Sequence, residues 1–123
     1  MSEEPFVRTE QVGNALIVSP ASRFVASAEA NLVDELDRLK QQVEAADVQN
    51  IVVDLGGITY FGSALLEWMV GLWKQAREKG GQLAACNPSP MGREVLAVAR
   101  FDRLWGIFNS RDEALEWLAA GKR

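Results

Sequence analysis

The run Ile51-Val52-Val53-Asp54-Leu55 constrains this chain more than any other segment. It is a nearly continuous series of β-branched and apolar residues, stiff at χ1 and suited to a pleated backbone. A strand with one wet face alternates apolar and polar residues. A run without alternation is covered on both faces, as the central strand of a parallel sheet is. Gly56-Gly57 breaks the run, and after Ile58 to Gly62 a helical pattern extends from Ser63 to Lys79. A strand of this kind requires helices packed on the sheet.

The remaining elements fit that requirement. Phe6 to Val12 and Ala15 to Ser19 read as strands, and Gly13-Asn14 between them is a two-residue hairpin signal. After Pro20, Ser27 is a candidate N-cap for a helix with the stripe Leu32, Leu36, Leu39 and Val43. The Ser63 helix carries two adjacent apolar rows, Leu65, Met69, Leu72, Ala76 and Leu66, Val70, Trp73, and Gly80-Gly81 ends it. Gln82 to Cys86 is a fourth strand. Ser89-Pro90 is an N-cap with proline at the first helical position, and Met91, Val95 and Val98 mark the helix that follows. Ile107-Phe108 reads as a short edge strand. Ser110 to Glu113 spells a capping box for a last helix with Ala114, Leu115, Trp117 and Leu118. The expected fold is therefore α/β, a mixed sheet of about five strands flanked by about four helices, in a single domain over residues 1–123.

Composition narrows the function. With 48% hydrophobic and 24% charged residues, the 123-residue chain has the balance of a packed domain. No apolar run approaches the roughly 20 residues of a membrane span, so no direct membrane insertion is expected. Glu3 and Glu4 stand where a secretory leader is basic and then apolar, and the expected location is cytoplasmic. The single cysteine, Cys86, has no disulfide partner, and with no histidine the usual zinc ligand sets are missing, so neither metal nor cofactor is expected. A net charge of −4 argues against sequence-independent attraction to nucleic acid or anionic lipid.

Candidate chemistry is sparse. Without histidine, a hydrolytic site needs paired carboxylates, a Ser-Lys pair or an activated cysteine. Asp34 and Asp37 lie opposite the leucine stripe and read as a solvated helix face. Cys86 reads as a small core residue without an activating base. Asp54 ends the central strand, where open α/β sheets place ligands, and with Gly57 it forms a candidate ligand-binding pair; the competing role is to cap the following turn. Gly57 and Gly62-Ser63 are spaced like glycines of a phosphate loop, but the lysine such a loop needs is missing. No catalytic residues are assigned, and the chain is not expected to be an enzyme. Trp73 and Trp117 fit the apolar rows of their helices. Trp68 falls beside its rows and reads either as core or as an interface anchor. Tyr60 and Phe61 pose the same choice between a hydrophobic staple and a docking patch.

The segment from Ile51 to Leu66, IVVDLGGITYFGSALL, resembles the central signature of the STAS family. There a hydrophobic strand ends in Asp-Leu-Ser-Gly or similar, and a loop delivers an Asp-Ser-Ser/Thr-Gly tetrad to a helix start. The order of elements is similar from Phe6 to Leu118. The resemblance implies a partner-binding surface on the loop and the helix after it, here Tyr60, Phe61, Gly62, Ser63, Ala64 and Trp68. It also implies a phosphoacceptor at Ser63, modified by a kinase-like anti-sigma factor that is the protein partner. Gly62, Ala64 and Leu65 replace the family's Asp, Ser/Thr and Gly. Three functions stay open on these residues: a phosphorylation-switched anti-sigma-factor antagonist, a constitutive adaptor of a transporter or signalling complex, and a nucleotide or small-molecule sensor around Asp54 and Gly57.

Overall fold

In the computed structural model of the chain, which describes residues 7–21, 32–58 and 61–121, five strands form one sheet in sequence order. β1 (Val7–Val12) and β2 (Ala15–Pro20) make the antiparallel hairpin, closed at Val12 opposite Ala15 with Gly13 at φ +58°. β3 (Asn50–Asp54), β4 (Leu83–Cys86) and β5 (Gly106–Phe108) then add in parallel to β2. The intervening helices are α1 (Leu32–Ala46), α2 (Ser63–Glu78) and α3 (Pro90–Val98), and α4 (Arg111–Ala119) closes the fold. A 3₁₀ turn, Phe101–Arg103, links α3 to β5. The mixed five-stranded sheet with four helices agrees with the sequence expectation. Phe6, Ser27 and Tyr60 lie outside the described residues. Among the described residues no helix is long and apolar enough to cross a membrane.

Strand periodicity divides the core in two. Leu16, Val18, Ile51, Val53, Leu83 and Ala85 face one side and pack with α1, α2 and α3, including Leu39, Val43, Leu65, Met69, Leu72 and Leu96. Ala15, Ile17, Val52, Ala84 and Cys86 face the other side, where Ala114 and Leu118 of α4 cover them. The three-residue run Ile51 to Val53 is completely buried, which is why it shows no alternation. Three successive crossovers advancing in one direction lay their helices on one face, and among the described residues α4 alone covers the other. Small residues on β4 let this nine-residue helix approach closely.

On α2 the first expected row is buried as read, but the second is not, and the stripe of α3 sits one position away from expectation. On α2 the buried row is Leu65, Trp68, Met69, Leu72, Gln75 and Ala76, a regular three-four spacing that includes Trp68. The second expected row, Leu66, Val70 and Trp73, is only half-buried, because α2 lies over the middle of the sheet and needs one contact face. On α3 Gly92 and Leu96 point inward, while Met91 and Val98 are 61% and 78% exposed. The Phe61 ring occupies the space over Gly92, where a Cβ would come within 2.5 Å of it, and so sets that rotation. Ser89 caps α3 by accepting from the Gly92 N–H at 3.0 Å, and Ser110 caps α4 by accepting from the Glu113 N–H at 3.2 Å, as their sequence signals predict.

The join between α2 and β4 is a tight one. Gly80 takes φ +82°, and the N–H groups of Gly80 and Gly81 donate to the carbonyls of Arg77 and Ala76 at 3.0 and 2.8 Å, a complete Schellman motif. A Cβ on Gly81 would meet the backbone carbonyl of Gln49 and come within 2.8 Å of Asn50 Oδ1. That carbonyl sits directly before β3, and Asn50 Oδ1 accepts from the Gln82 N–H at 2.9 Å, so neither neighbour can retreat freely. Gly81→Ala is therefore expected to lower stability by about 1–3 kcal/mol through overpacking against backbone. An unchanged urea midpoint would show that the strand entrance is looser than this geometry requires.

Candidate functional site

The carboxyl edge of the parallel strands is built around Asp54. Its Oδ1 accepts from the Gly56 N–H at 2.9 Å and from Asn87 Nδ2 at 3.1 Å, and its Oδ2 accepts from Arg111 Nε at 2.7 Å. Arg111 also donates to Glu10 at 3.2 Å and to Ser19 Oγ at 3.2 Å. One guanidinium thus joins α4 to β1, β2 and β3. Burial works to raise the Asp54 pKa, but the Arg111 hydrogen bond, the Gly56 N–H, the Asn87 amide and the Arg111 charge together hold the carboxyl below its ordinary value. The Asp54 hydrogen bond raises the Arg111 pKa in return.

This arrangement accounts for both members of the candidate ligand pair. The Asp54 carboxylate is engaged by three donors, and Gly57 serves the turn that follows. The Ile58 N–H donates to the Leu55 carbonyl at 3.1 Å, and Gly57 at φ +86° occupies the third position, which demands positive φ in a type II turn. Leu55 and Ile58, each 1% exposed, anchor the turn in the core.

Arg111 was not among the residues singled out from the sequence, although a signal was present. A cation at the first position of a helix opposes the macrodipole, so it needs a compensating anion nearby. Cys86, next to this network, is fully buried. Burial first, then the Asp54 charge, push its thiol up to about 12 against a smaller opposing effect of Arg111, so it is no nucleophile near neutral pH.

The turn delivers the chain to α2, where the expected partner patch separates into two groups. Gly62, half-buried, is the N-cap with φ −112° and ψ 175°, and it has no side chain to cap with. Ser63 is the first helical residue, as the sequence pattern predicts. Ser63 and Ala64 are exposed. Phe61 at 9% and Trp68 at 2% exposure are core residues: Phe61 lies against Gly92, and Trp68 falls in the inward row of α2. Neither presents a surface to a partner in this conformation.

A different set of apolar residues lies beside Ser63. A shallow groove of about 430 Å³ runs from Ser63 past Leu66, Glu67, Val70, Gly71 and Lys74 along α2, with Phe101 on its far wall. Residues at this spacing share one helix face. The first turn of α2 contains no acidic residue, so the positive end of its dipole is not neutralised there.

The Asp54–Arg111 pair sets a pH dependence. A carboxyl with a depressed folded-state pKa contributes stability that is present above its unfolded value, about 3.9, and lost as pH falls through the lower folded value. Asp54→Asn should cost about 1.5–3 kcal/mol at neutral pH, the scale of hydrogen bonds to a charged group. The gap from the parent should then narrow on acidification below about pH 4. Denaturant titrations at neutral and acid pH measure it; a gap independent of pH would mean that Asp54 is not held as an anion.

Comparison with known proteins follows the same outline. Residues 6–114 match the STAS domain family model. A Bordetella bronchiseptica protein named "Putative anti-sigma factor antagonist BtrV" is 30% identical over 101 residues, 82% of this chain and 84% of its own length. The structure of an anti-sigma-factor antagonist (STAS) domain protein from Planctomyces limnophilus superposes with a TM-score of 0.71 at 29% identity, covering 92% of this chain and 97% of that one. The Bacillus cell fate determinant SpoIIAA in its phosphorylated form shares the fold, with a TM-score of 0.67 at 14% identity over 89% of this chain and 96% of that one. A match over the whole described sheet, the first three helices and the start of α4, on a central strand of the expected type, places this chain in the STAS domain family.

Proposed function

We propose that this protein is a regulatory binding module of the anti-sigma-factor antagonist type, with a kinase-like anti-sigma factor as its partner and Ser63 as its phosphoacceptor. The observation that carries this reading is the position of Ser63, exposed at the unneutralised start of α2 and at the head of an apolar groove. The relatives named as anti-sigma-factor antagonists support the class of partner. The contact surface on this reading is Gly62, Ser63, Ala64, Leu66, Val70 and Phe101. It keeps Gly62, Ser63 and Ala64 of the expected patch, with Leu66, Val70 and Phe101 in place of the buried Phe61 and Trp68. Action is by binding and not by turnover: the chain has no histidine, burial pushes the thiol of Cys86 well above its ordinary value, and Asp54 is held by three donors.

Phosphorylation at this point acts on the interface. A phosphoryl group adds about −1.5 to −2 charge at neutral pH, and the free N–H groups of the first turn stabilise it within the domain. The same dianion must be desolvated when a partner covers Leu66, Val70 and Phe101, which penalises the complex. A second reading, a constitutive adaptor, draws on Gly62: no acidic side chain stands immediately before Ser63, and Leu65 of the altered tetrad is 2% exposed and belongs to the core.

Calorimetry with the anti-sigma kinase encoded nearest this gene separates the two. Ser63→Ala should bind as the parent does, while Ser63→Asp should keep its melting temperature and lose at least tenfold in affinity, about 1.4 kcal/mol. Val70→Arg should also lose the partner without unfolding. Equal affinity of Ser63→Asp and parent would remove the switch and leave the adaptor. Unimpaired binding by Val70→Arg would move the interface off the groove.

A further inference from the structure

A second cleft, of about 520 Å³, lies at the opposite end of the sheet from Ser63. Its walls include Trp73 and Arg77 from the second half of α2, Arg103 from the 3₁₀ turn, Trp105 before β5, and Trp117 from α4. Gly81 and Gln82, which lead into β4, and Gly106, which starts β5, also line it. It therefore opens at the amino ends of these parallel strands, whereas Ser63 follows the carboxyl end of β3. Trp73 stands ten residues beyond Ser63, about 15 Å along the helix axis. The cleft is separate from the proposed switch surface.

Three of the chain's four tryptophans meet here, each from a different segment. Trp105 packs with the α1–α3 side of the sheet and stacks on Phe101 at 4.7 Å, while Trp117 packs with the α4 side, against Phe108 at 5.5 Å. The indoles thus approach the edge of β5 from both faces. Trp68 and Trp105 are 2% exposed, but Trp73 and Trp117 remain only half-buried where they line the cleft. Gly106 makes the approach possible, since a Cβ there would come within 2.5 Å of the Phe108 ring and 3.1 Å of Trp117. The charge at this place runs against that of the molecule. In a protein with 17 acidic and 13 basic residues, the residues lining the cleft include two arginines, Arg77 and Arg103, and one acid, Asp102. Arg77 already lies over the Trp73 ring at 5.2 Å from its centroid, the contact of a guanidinium held on an aromatic face.

From this convergence we propose that the cleft binds a small planar aromatic molecule carrying one anionic group. The volume falls in the range of pockets that bury a small ligand, and half-exposed indoles supply flat apolar faces for its ring. The two arginines supply the charge-assisted donors that an anion needs and that a neutral aromatic does not use. Binding here stiffens the junction of α2, β5 and α4 without touching Ser63.

The test uses naphthoate and its neutral counterpart naphthamide as probes on the whole protein, followed by the side-chain N–H signals of the tryptophans in NMR spectra. Naphthoate should shift the Trp73 and Trp117 signals saturably, and naphthamide should bind about tenfold more weakly. Arg77→Gln and Arg103→Gln, both at exposed positions, should each weaken naphthoate by about that factor and leave naphthamide unchanged. Ser63→Asp should leave naphthoate affinity unchanged. Absence of saturable shifts, equal affinity for acid and amide, or indifference to both arginine substitutions would each overturn the assignment. Loss of naphthoate binding in Ser63→Asp would do so as well, by moving the ligand to the switch surface.

Discussion

The pairing of Asp54 with Arg111 is the interaction on which the functional end of this domain depends. The strand that carries Asp54 is buried on both faces and cannot move without disrupting two core layers. Its terminal carboxylate then takes one donor from the turn toward α2, one from the residue after β4, and one from the start of α4. Three segments distant in sequence are thereby fixed to one rigid point. The cost is a cation at the positive end of α4, and the 2.7 Å hydrogen bond to a carboxylate that is only 13% exposed offsets it. Such a pair is stronger than a surface ion pair because the surrounding dielectric is lower and the geometry is held from both sides.

Rigidity at that point explains the design of the loop beyond it. Leu55 and Ile58 are buried anchors, Gly57 supplies the left-handed turn between them, and Phe61 seats on the bare backbone of Gly92. Apolar residues of the loop are thus turned toward the core, leaving Gly62, Ser63 and Ala64 to meet solvent. Among the described residues this helix start presents small side chains, which leaves it open to a large partner and sensitive to any charge added there.

Most of the fold was legible in the sequence because it rests on local signals. The unbroken apolar character of Ile51 to Val53, the hairpin glycine, the Ser89-Pro90 and Ser110 to Glu113 caps and the Gly80-Gly81 stop each act within a few residues, and each appears where expected. The site was less legible because its features are decided by neighbours far away in sequence. Trp68 looked marginal on a helical projection and is core because the centre of the α2 stripe depends on how the helix sits on the sheet. Met91 and Val98 are apolar but exposed because Phe61, some 30 residues earlier, takes the place over Gly92. Arg111 is the instructive omission. Local rules mark it only as a residue in the wrong electrostatic position, and its partner lies 57 residues back on another strand. Asp112 and Glu113 in the same turn already suit the helix start, so the cation at Arg111 is explained only by its long-range contact.

The helix α2 joins the two surfaces proposed to bind ligands, and its packing determines what can pass between them. Its inward row from Leu65 to Ala76 is at most 8% exposed, and its last turn is pinned by the Schellman closure at Gly81. A helix fixed along its length and at its end transmits little bending or fraying, so charge placed at Ser63 has few internal degrees of freedom through which to act. The response to phosphorylation must therefore appear at the surface where it is placed, as a change in what the groove can accept. The aromatic cleft at the far end follows the same logic in reverse: occupancy there adds order to a junction already ordered on the α2 side, and its influence is confined to the shorter, less covered elements β5 and α4. Since α4 begins at Arg111, the Asp54 network is a second structural link between the two ends, and it runs through the sheet and not along the helix.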